Sequence, residues 1–305
     1  MTDLRCNLCG NELTTRFPRV LDAQTGESFE IAQCAQCDLG HTRPQPENLS
    51  RHYGTTYHGG RHGLTAKYCA RRRVRFVESL IRSGDGLRML DVGCGDGTFL
   101  LAARRRGWQT IGTEFNPKIA RSFGLDVRES VEDARSAGPF DCITLWHSLE
   151  HISDPRGEIL ALSSMLQPNG VLLIAVPNAA GLQARLFGRH WLHLDVPRHL
   201  YHFNDHSLTS LLDLAGLSPV RRWNQEFEYD LLGWSQSALN ALMPAQNVFY
   251  RTIVGKRAGL SRGAVLLNAV LGTVFSALSL PAVVAGTAAG LGGTLIVAAR
   301  RRNQP

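Results

Sequence analysis

Leu87-Arg88-Met89-Leu90-Asp91-Val92-Gly93-Cys94-Gly95-Asp96-Gly97 is the stretch on which the reading of this chain turns. An apolar run, Leu87 to Leu90, feeds a glycine turn that opens directly into a helical pattern, Thr98 to Arg106. Glycines are needed where backbone must turn tightly and approach a ligand closely, and the helix start behind them offers unpaired N–H groups. A second strand, Thr110 to Thr113, ends in Glu114, a carboxylate at a strand tip that suits the two hydroxyls of a ribose. The pattern is that of a strand, loop and helix built around a nucleotide.

Outward from this loop, strand and helix patterns alternate, which argues for a parallel sheet covered on both faces. Strands are expected to end near Gly93, Glu114, Glu129, Trp146 and Pro177, with helices over 97–106, 117–124, 131–136 and 155–166. The last of these is expected to close at Pro168-Asn169-Gly170, before the apolar strand Val171 to Val176. A helix from Ser207 to Ala215, a sixth strand from Leu217 to Trp223 and a last strand from Thr294 to Ala299 complete the pattern.

Cys6-x2-Cys9 and Cys34-x2-Cys37 form two paired-thiol knuckles. Two such pairs complete a tetrahedral S4 shell for Zn2+ with no open coordination position, so the expected metal role is structural. Phe29 to Gln33 reads as a strand between the pairs, and His41-Thr42-Arg43-Pro44-Gln45-Pro46 as a break and linker. Residues 47–63 carry Tyr53, Tyr57, His52, His58 and His62 among glycines, and Ala66 to Ser83 reads as a basic amphipathic helix.

Two histidine-rich segments supply candidate chemistry. Phe140 to Pro155 delivers Trp146 and His147 to the ligand edge of the sheet, with Glu150 and His151 one turn on. Glu150 has two readings of equal weight, pinning the following helix or taking part in the reaction. His190 to Phe203 groups His193, Asp195 and His199, which admits a metalloenzyme reading. The favoured alternative places these residues in an acceptor pocket, with Arg198 holding an acidic group and His199 or Tyr201 near the nucleophile.

The Gly93, Gly95, Gly97 spacing after Asp91 resembles motif I of class I S-adenosylmethionine (SAM)-dependent methyltransferases, in place of the G-x-G-x-x-G turn of Rossmann dehydrogenases. Glu114 resembles their ribose-binding second motif, and Phe140 to Pro155 their fourth and post-fourth motifs. With the cysteine pairs, the Pro44-Gln45-Pro46 linker and Pro197-Arg198-His199-Leu200, the chain is similar to zinc-ribbon-bearing class I methyltransferases, relatives of the deoxysugar C-methyltransferases. The resemblance implies a Rossmann-like α/β fold with a mostly parallel seven-stranded sheet, and SAM as methyl donor. It implies that Gly93, Cys94 and Gly95 hold the methionine part, that Asp91 organises the loop or the amino group, and that Glu114 binds the ribose. Phe115 would lie beside the adenine, with Trp146 on the same edge. For a base, His151 or His199 is favoured and His147 is third, because imidazole titrates near neutrality.

The 305 residues, 44% hydrophobic and 19% charged, have a globular composition. A formal charge of +7 falls to +5 once four thiolates (−4) and Zn2+ (+2) are counted, and no basic patch interleaved with aromatics appears beyond the Tyr53–His62 loop, so nucleic acid is not expected as a partner. The amino terminus lacks the apolar core of a signal peptide, which places the bulk of the chain in the cytoplasm.

Residues 1–43 are expected to form the zinc module, 44–83 a linker and helix, and 84–223 the SAM-binding core. Residues 224–293 form a hydrophobic acceptor-side insertion, and 294–305 the last strand and a basic tail. Within 264–299 no side chain is charged, and Arg300-Arg301-Arg302 follows. Pro281 and four glycines interrupt this run, so a helical hairpin against one leaflet, or a cap over the acceptor site, is expected. The acceptor is expected to be a small molecule, sugar-like or a lipid-linked glycan, met on the inner face of the cell membrane through peripheral contact by 264–299. The alternatives are a zinc-ribbon nucleic-acid methyltransferase and a non-catalytic SAM-binding membrane adaptor.

Overall fold

The computed structural model describes residues 5–53, 64–81, 85–257 and 259–302. In chain order the strands are β1 (Leu13–Leu21), β2 (Ser28–Cys34), β3 (Gly40–Arg43), β4 (Arg88–Val92), β5 (Gln109–Thr113), β6 (Asp126–Arg128), β7 (Phe140–Trp146), β8 (Leu166–Pro177), β9 (Tyr201–His202), β10 (Leu217–Trp223) and β11 (Thr294–Arg301). The α-helices are α1 (Ser50–Tyr53), α2 (Leu64–Glu78), α3 (Thr98–Arg104), α4 (Lys118–Ser122), α5 (Val131–Ala134), α6 (Pro155–Ser164), α7 (Leu182–Phe187), α8 (Asp205–Leu214), α9 (Phe227–Leu242), α10 (Val248–Ile253) and α11 (Arg262–Ala288). Tyr57, His58 and His62, singled out in the sequence, lie outside the described residues.

The chain groups into two compact units that cross the segments laid out along the sequence. One comprises 1–56, 177–208 and 223–295, and the other 57–176, 209–222 and 296–305.

The second unit carries the seven-stranded sheet, in the order β10-β11-β8-β7-β4-β5-β6. The pairs β4·β5, β4·β7, β5·β6 and β7·β8 are all parallel. This is the Rossmann-like class I methyltransferase arrangement. From β4 the chain moves outward through β5 and β6, then returns to lay β7 on the other side of β4. Connections leaving β4 and β7 therefore diverge, and a crevice opens beyond their carboxyl ends, the usual ligand position in such sheets. The interior strands are buried on both faces: Met89, Leu90, Ile143, Leu145 and Val171 to Val176 are almost fully removed from water. That is why they read as continuous apolar runs.

Two local expectations need correction. Pro168-Asn169-Gly170 does not close a helix. Strand β8 already begins at Leu166, and the register jumps from Phe140↔Leu166 to Cys142↔Val171, so the three residues form an irregularity within the strand. Proline is tolerated there because a bulged residue needs no ladder N–H.

The first unit holds a four-stranded antiparallel sheet, β1-β2-β3-β9. His41-Thr42-Arg43, expected as a break, is strand β3. It pairs with β2 and, through Gly40 and His41, with His202 and Tyr201. A partner so remote in sequence leaves no local signal. Val20, Phe29, Ile31, Ala179, Trp191, Leu194 and Val196 form an apolar cluster in this unit.

Helix α11 runs unbroken for 27 residues with Pro281 inside it, so the expected hairpin is absent. Proline removes one helical bond, at roughly 3 kcal/mol, without stopping a helix whose other residues favour it. The uncharged run also splits: α11 ends at Ala288, and Leu295 to Ala299 are buried within β11. The basic tail is engaged as well. Arg300 donates to the Leu80 carbonyl (3.0 Å), Arg301 to the Ser163 and Leu166 carbonyls (2.9 and 2.8 Å), and Arg302 pairs with Asp213. These arginines fasten the edge of the sheet unit.

Candidate functional site

The Asp91–Gly97 loop leaves β4 at the crevice, and its conformation explains its composition. Gly93, Gly95 and Gly97 have φ of 73°, 57° and 77°, the left-handed region that L side chains rarely occupy. The N–H groups of Gly93 and Cys94 both donate to the Thr113 carbonyl at 2.9 Å, tying the loop to the end of β5. A Cβ on Gly93 would meet Ser148 Cβ at 2.6 Å, whereas one on Gly95 would meet nothing within 4 Å. Among the described residues, the loop is thus packed behind Gly93 and open in front of Gly95.

Glu114 closes the arrangement: Gly95 N–H donates to its Oε2 at 2.8 Å. Phe115, the next residue, is 82% exposed. Cys94 points inward. A Cβ on Gly112 would strike its Sγ at 2.7 Å, and burial pushes its thiol well above the usual range. The small size of Cys94 and the absence of a side chain at Gly112 let β5 and the loop meet.

Asp91 is buried and accepts a hydrogen bond from Thr144 Oγ1 at 2.7 Å. Burial raises its pKa to about 7, against the opposing pull of the Thr144 hydroxyl and the Arg73 charge. Thr144 and Arg73 escaped the sequence reading. The parallel register of β4 on β7, which pairs Asp91 with Thr144, is the signal that finds the first. Arg73 sits over the Trp146 ring, 4.8 Å from its centroid, and Phe76 and Phe99 flank the same ring. Trp146 is buried among these groups, with an indole N–H that has no hydrogen-bond partner among the described residues.

His147 and His151 lie just beyond β7 in the same unit. His147 has φ of 54°, and its Nδ1 is 3.7 Å from Glu150 Oε1. Both Glu150 and His151 belong to the short 3-10 turn Leu149–His151. Helix α6 then starts at Pro155, capped by Asp154, whose Oδ1 accepts from Gly157 N–H at 3.0 Å.

His199 belongs to the other unit. Its Nδ1 lies 2.8 Å from the His193 carbonyl, which can only accept, so Nδ1 donates there, while Nε2 lies 4.0 Å from Asp195 Oδ2. His193, Asp195 and His199 do not converge as a metal site: the His193 ring packs edge-on against Trp191, and Asp195 serves Arg198. Arg198 differs from expectation too. It is fully buried and donates to Asp22 (3.1 and 3.2 Å), Asp195 (2.6 and 3.0 Å) and the His52 carbonyl (3.1 Å). With its donors so occupied it anchors the loop, and Asp22, 176 residues away, completes its charge.

Cys6, Cys9, Cys34 and Cys37 come together with all four sulfurs within 4.8 Å of one another. Cys6 and Cys37 are 3.5 Å apart, Cys9 and Cys34 3.4 Å. The two knuckles are built alike: Gly10 N–H donates to the Cys6 carbonyl (2.8 Å), and Asp38 N–H to that of Cys34 (3.0 Å). The donors have φ of 75° and 59° respectively.

A methyltransferase-domain family profile matches residues 61–221, more than half of the chain. Among curated relatives, a ubiquinone biosynthesis O-methyltransferase of Xanthomonas axonopodis pv. citri is 33% identical over 147 residues, covering 44% of this chain and 61% of the relative. Its counterpart in Xanthomonas campestris pv. campestris is 35% identical over 134 residues, covering 39% and 56%. The chain thus spans less than two thirds of the length of these relatives. Among solved structures, a coclaurine N-methyltransferase aligns with TM-score 0.48 and 14% identity, covering 76% of this chain and 70% of that one. A SAM-dependent methyltransferase from Archaeoglobus fulgidus aligns with TM-score 0.47 and 18% identity, covering 77% and 94%. On the profile match the chain belongs to the methyltransferase-domain family, and its strand order is that of the class I methyltransferase fold.

Proposed function

We propose that this enzyme methylates a small-molecule acceptor, sugar-like or lipid-linked, at the cytoplasmic face of the membrane, with SAM held at the Asp91–Gly97 loop. The observation that carries the placement of SAM is the open space in front of Gly95, beside the Glu114 carboxylate and the exposed Phe115 ring. A carboxylate, an aromatic face and unobstructed backbone are what a ribose, an adenine and a methionine chain require. SAM supplies a sulfonium leaving group, so the protein needs to align donor and acceptor and, where the acceptor demands it, remove a proton. Glu114 would orient the ribose, and ionised Asp91 would favour a cationic ligand. For proton removal we favour His151 or His199, then His147.

The cysteine cluster supports a zinc ribbon. A tetrahedron with Zn–S of about 2.3 Å has edges of about 3.8 Å, close to the sulfur separations here. Freshly purified protein should hold one zinc per chain, and Cys34→Ser should release it. Metal analysis that finds no zinc, or zinc retained after replacement of all four cysteines, contradicts the ribbon.

A second acceptor reading, an oxygen of a quinone precursor, is favoured by the 33% identity to a ubiquinone biosynthesis O-methyltransferase. Methyl transfer from labelled SAM to lipid extracts, with mass spectrometry of the product, separates the two. A methylated glycan headgroup supports the first and a methoxyarene the second. SAM binding without turnover on any extract would contradict both.

A further inference from the structure

Helix α11 is built with its burial reversed. The positions turned into the first unit are Asn268, Gly272, Ser279, Val283 and Gly286, mostly small or polar. Leu266, Leu278 and Val284 face outward at 67%, 68% and 64% exposure, with Leu267, Val270, Val274 and Leu280 on the same side. The outward positions run from Leu266 to Val284, about 27 Å of helix, and share one side of it at helical spacing, so they form one continuous stripe. On the inner side, Gly272 lies where a Cβ would strike the Phe249 ring of α10 at 2.5 Å. The neighbouring helix α9 buries Ser235, Gln236, Ser237 and Asn240. These are hydrogen-bonded: Gln236 accepts from Tyr250 N–H (2.7 Å) and donates to Asn240 (2.8 Å), and Asn240 donates to Asn247 (2.8 Å). Small residues at a helix seam with large apolar ones facing away is a lipid-facing pattern.

Charge names the lipid. No Asp or Glu occurs after Asp230, while Arg251, Lys256, Arg257 and Arg262 gather within twelve residues at the amino-terminal end of α11. A second copy of this face would bring the exposed Arg257 and Arg262 of both chains together, whereas anionic headgroups would pair with them. The apolar stripe is one-sided, and the opposite side of α11 is committed to α9 and α10. Crossing the bilayer would drag the polar α9 seam into hydrocarbon, so lying in the interface is the arrangement that leaves it covered.

We propose that the outward face of α11, with the Arg251–Arg262 cations, is a monotopic docking surface for an anionic lipid bilayer. The proposal deepens the membrane-face part of the function given above and rests on it. It also moves the basic contribution away from Arg300 to Arg302, whose side chains are engaged within the sheet unit.

Flotation of the full-length protein tests this with vesicles of phosphatidylcholine alone or with one third phosphatidylglycerol. The protein should float with the anionic vesicles at low salt and be released as salt rises. Replacing Lys256, Arg257 and Arg262 with Gln should weaken partitioning on the order of 100-fold. Leu267→Asp with Leu278→Asp should abolish it, with circular dichroism unchanged. Three results overturn the proposal: no flotation at low salt, equal flotation on neutral vesicles with no effect of the charge variant, or retention through alkaline carbonate extraction, which marks a spanning helix. A dimer that dissociates in the Leu267→Asp variant, without flotation, shows a second copy on this face and overturns it too. SAM binding, measured on the same preparation, separates a failure of docking from a failure of the methyltransferase reading.

Discussion

Residues 264–288 and 294–299 are two uncharged runs a few residues apart, and they do opposite things. In β11, Leu295 to Ala299 are sealed between neighbouring strands and almost fully buried. In α11, leucines and valines of the same hydropathy stand in the open, and the helix turns its asparagine, serine and glycines inward. Hydropathy alone does not separate a core strand from a helix whose apolar side is exposed. The difference lies in which residues sit at the contact positions, a matter of period and partner.

The comparison breaks most readily by placing a carboxylate in each run. Val297→Asp buries an unpaired charge in the sheet and should destabilise the protein by more than about 4 kcal/mol. Leu267→Asp, at an exposed site, should change it by less than about 0.5 kcal/mol. Equal losses in urea unfolding would mean that α11 is a core helix after all.

The first unit adds to its apolar cluster a buried ion pair, Arg198 with Asp22. Arg198→Met takes the guanidinium from buried Asp22, leaving it His52 Nδ1 (3.3 Å), the Gln24 N–H and the Thr25 hydroxyl, and should cost about 3–5 kcal/mol. Hydrogen exchange should show the loss of protection around Asp22 and His52 first. Unchanged stability would demote the Arg198–Asp22 pair to a passive contact.

Smaller and opposite in sign is the effect of pH at Asp91. Its folded pKa is raised to about 7 from 3.8, so its favourable contribution to stability is complete below 3.8 and is lost as pH rises through 7. A cationic ligand favours the ionised form, so SAM affinity should rise between pH 6 and 8 by up to roughly tenfold and flatten above. Asp91→Asn should remove that slope. A slope that persists in the variant assigns the titration elsewhere.

Much of the sheet unit was legible in the sequence because its signals are local. The glycine loop needs left-handed backbone, Glu114 closes a strand tip, and Trp146 and His147 end a continuous apolar strand. The cysteine knuckles are legible for the same reason. What escaped depends on distant partners: β3 finds β9 some 160 residues on, Arg198 finds Asp22, and the arginines of the tail find the Ser163 carbonyl and Asp213. Arg198 beside a histidine pair reads as a ligand-binding cation until its counter-charge is located. Pro281 reads as a break until the surrounding helix is seen to carry it.

The central claim is that SAM sits in front of Gly95 against Glu114, and calorimetric titration of SAM tests it most directly. The wild-type protein should bind one SAM per chain. Glu114→Ala should lose about 1.5–3 kcal/mol of affinity as charge-assisted hydrogen bonds disappear. Gly95→Val should lose more, because its side chain would enter the space left open there. Unchanged SAM affinity in both variants, or tighter binding of NAD than of SAM, would contradict the account.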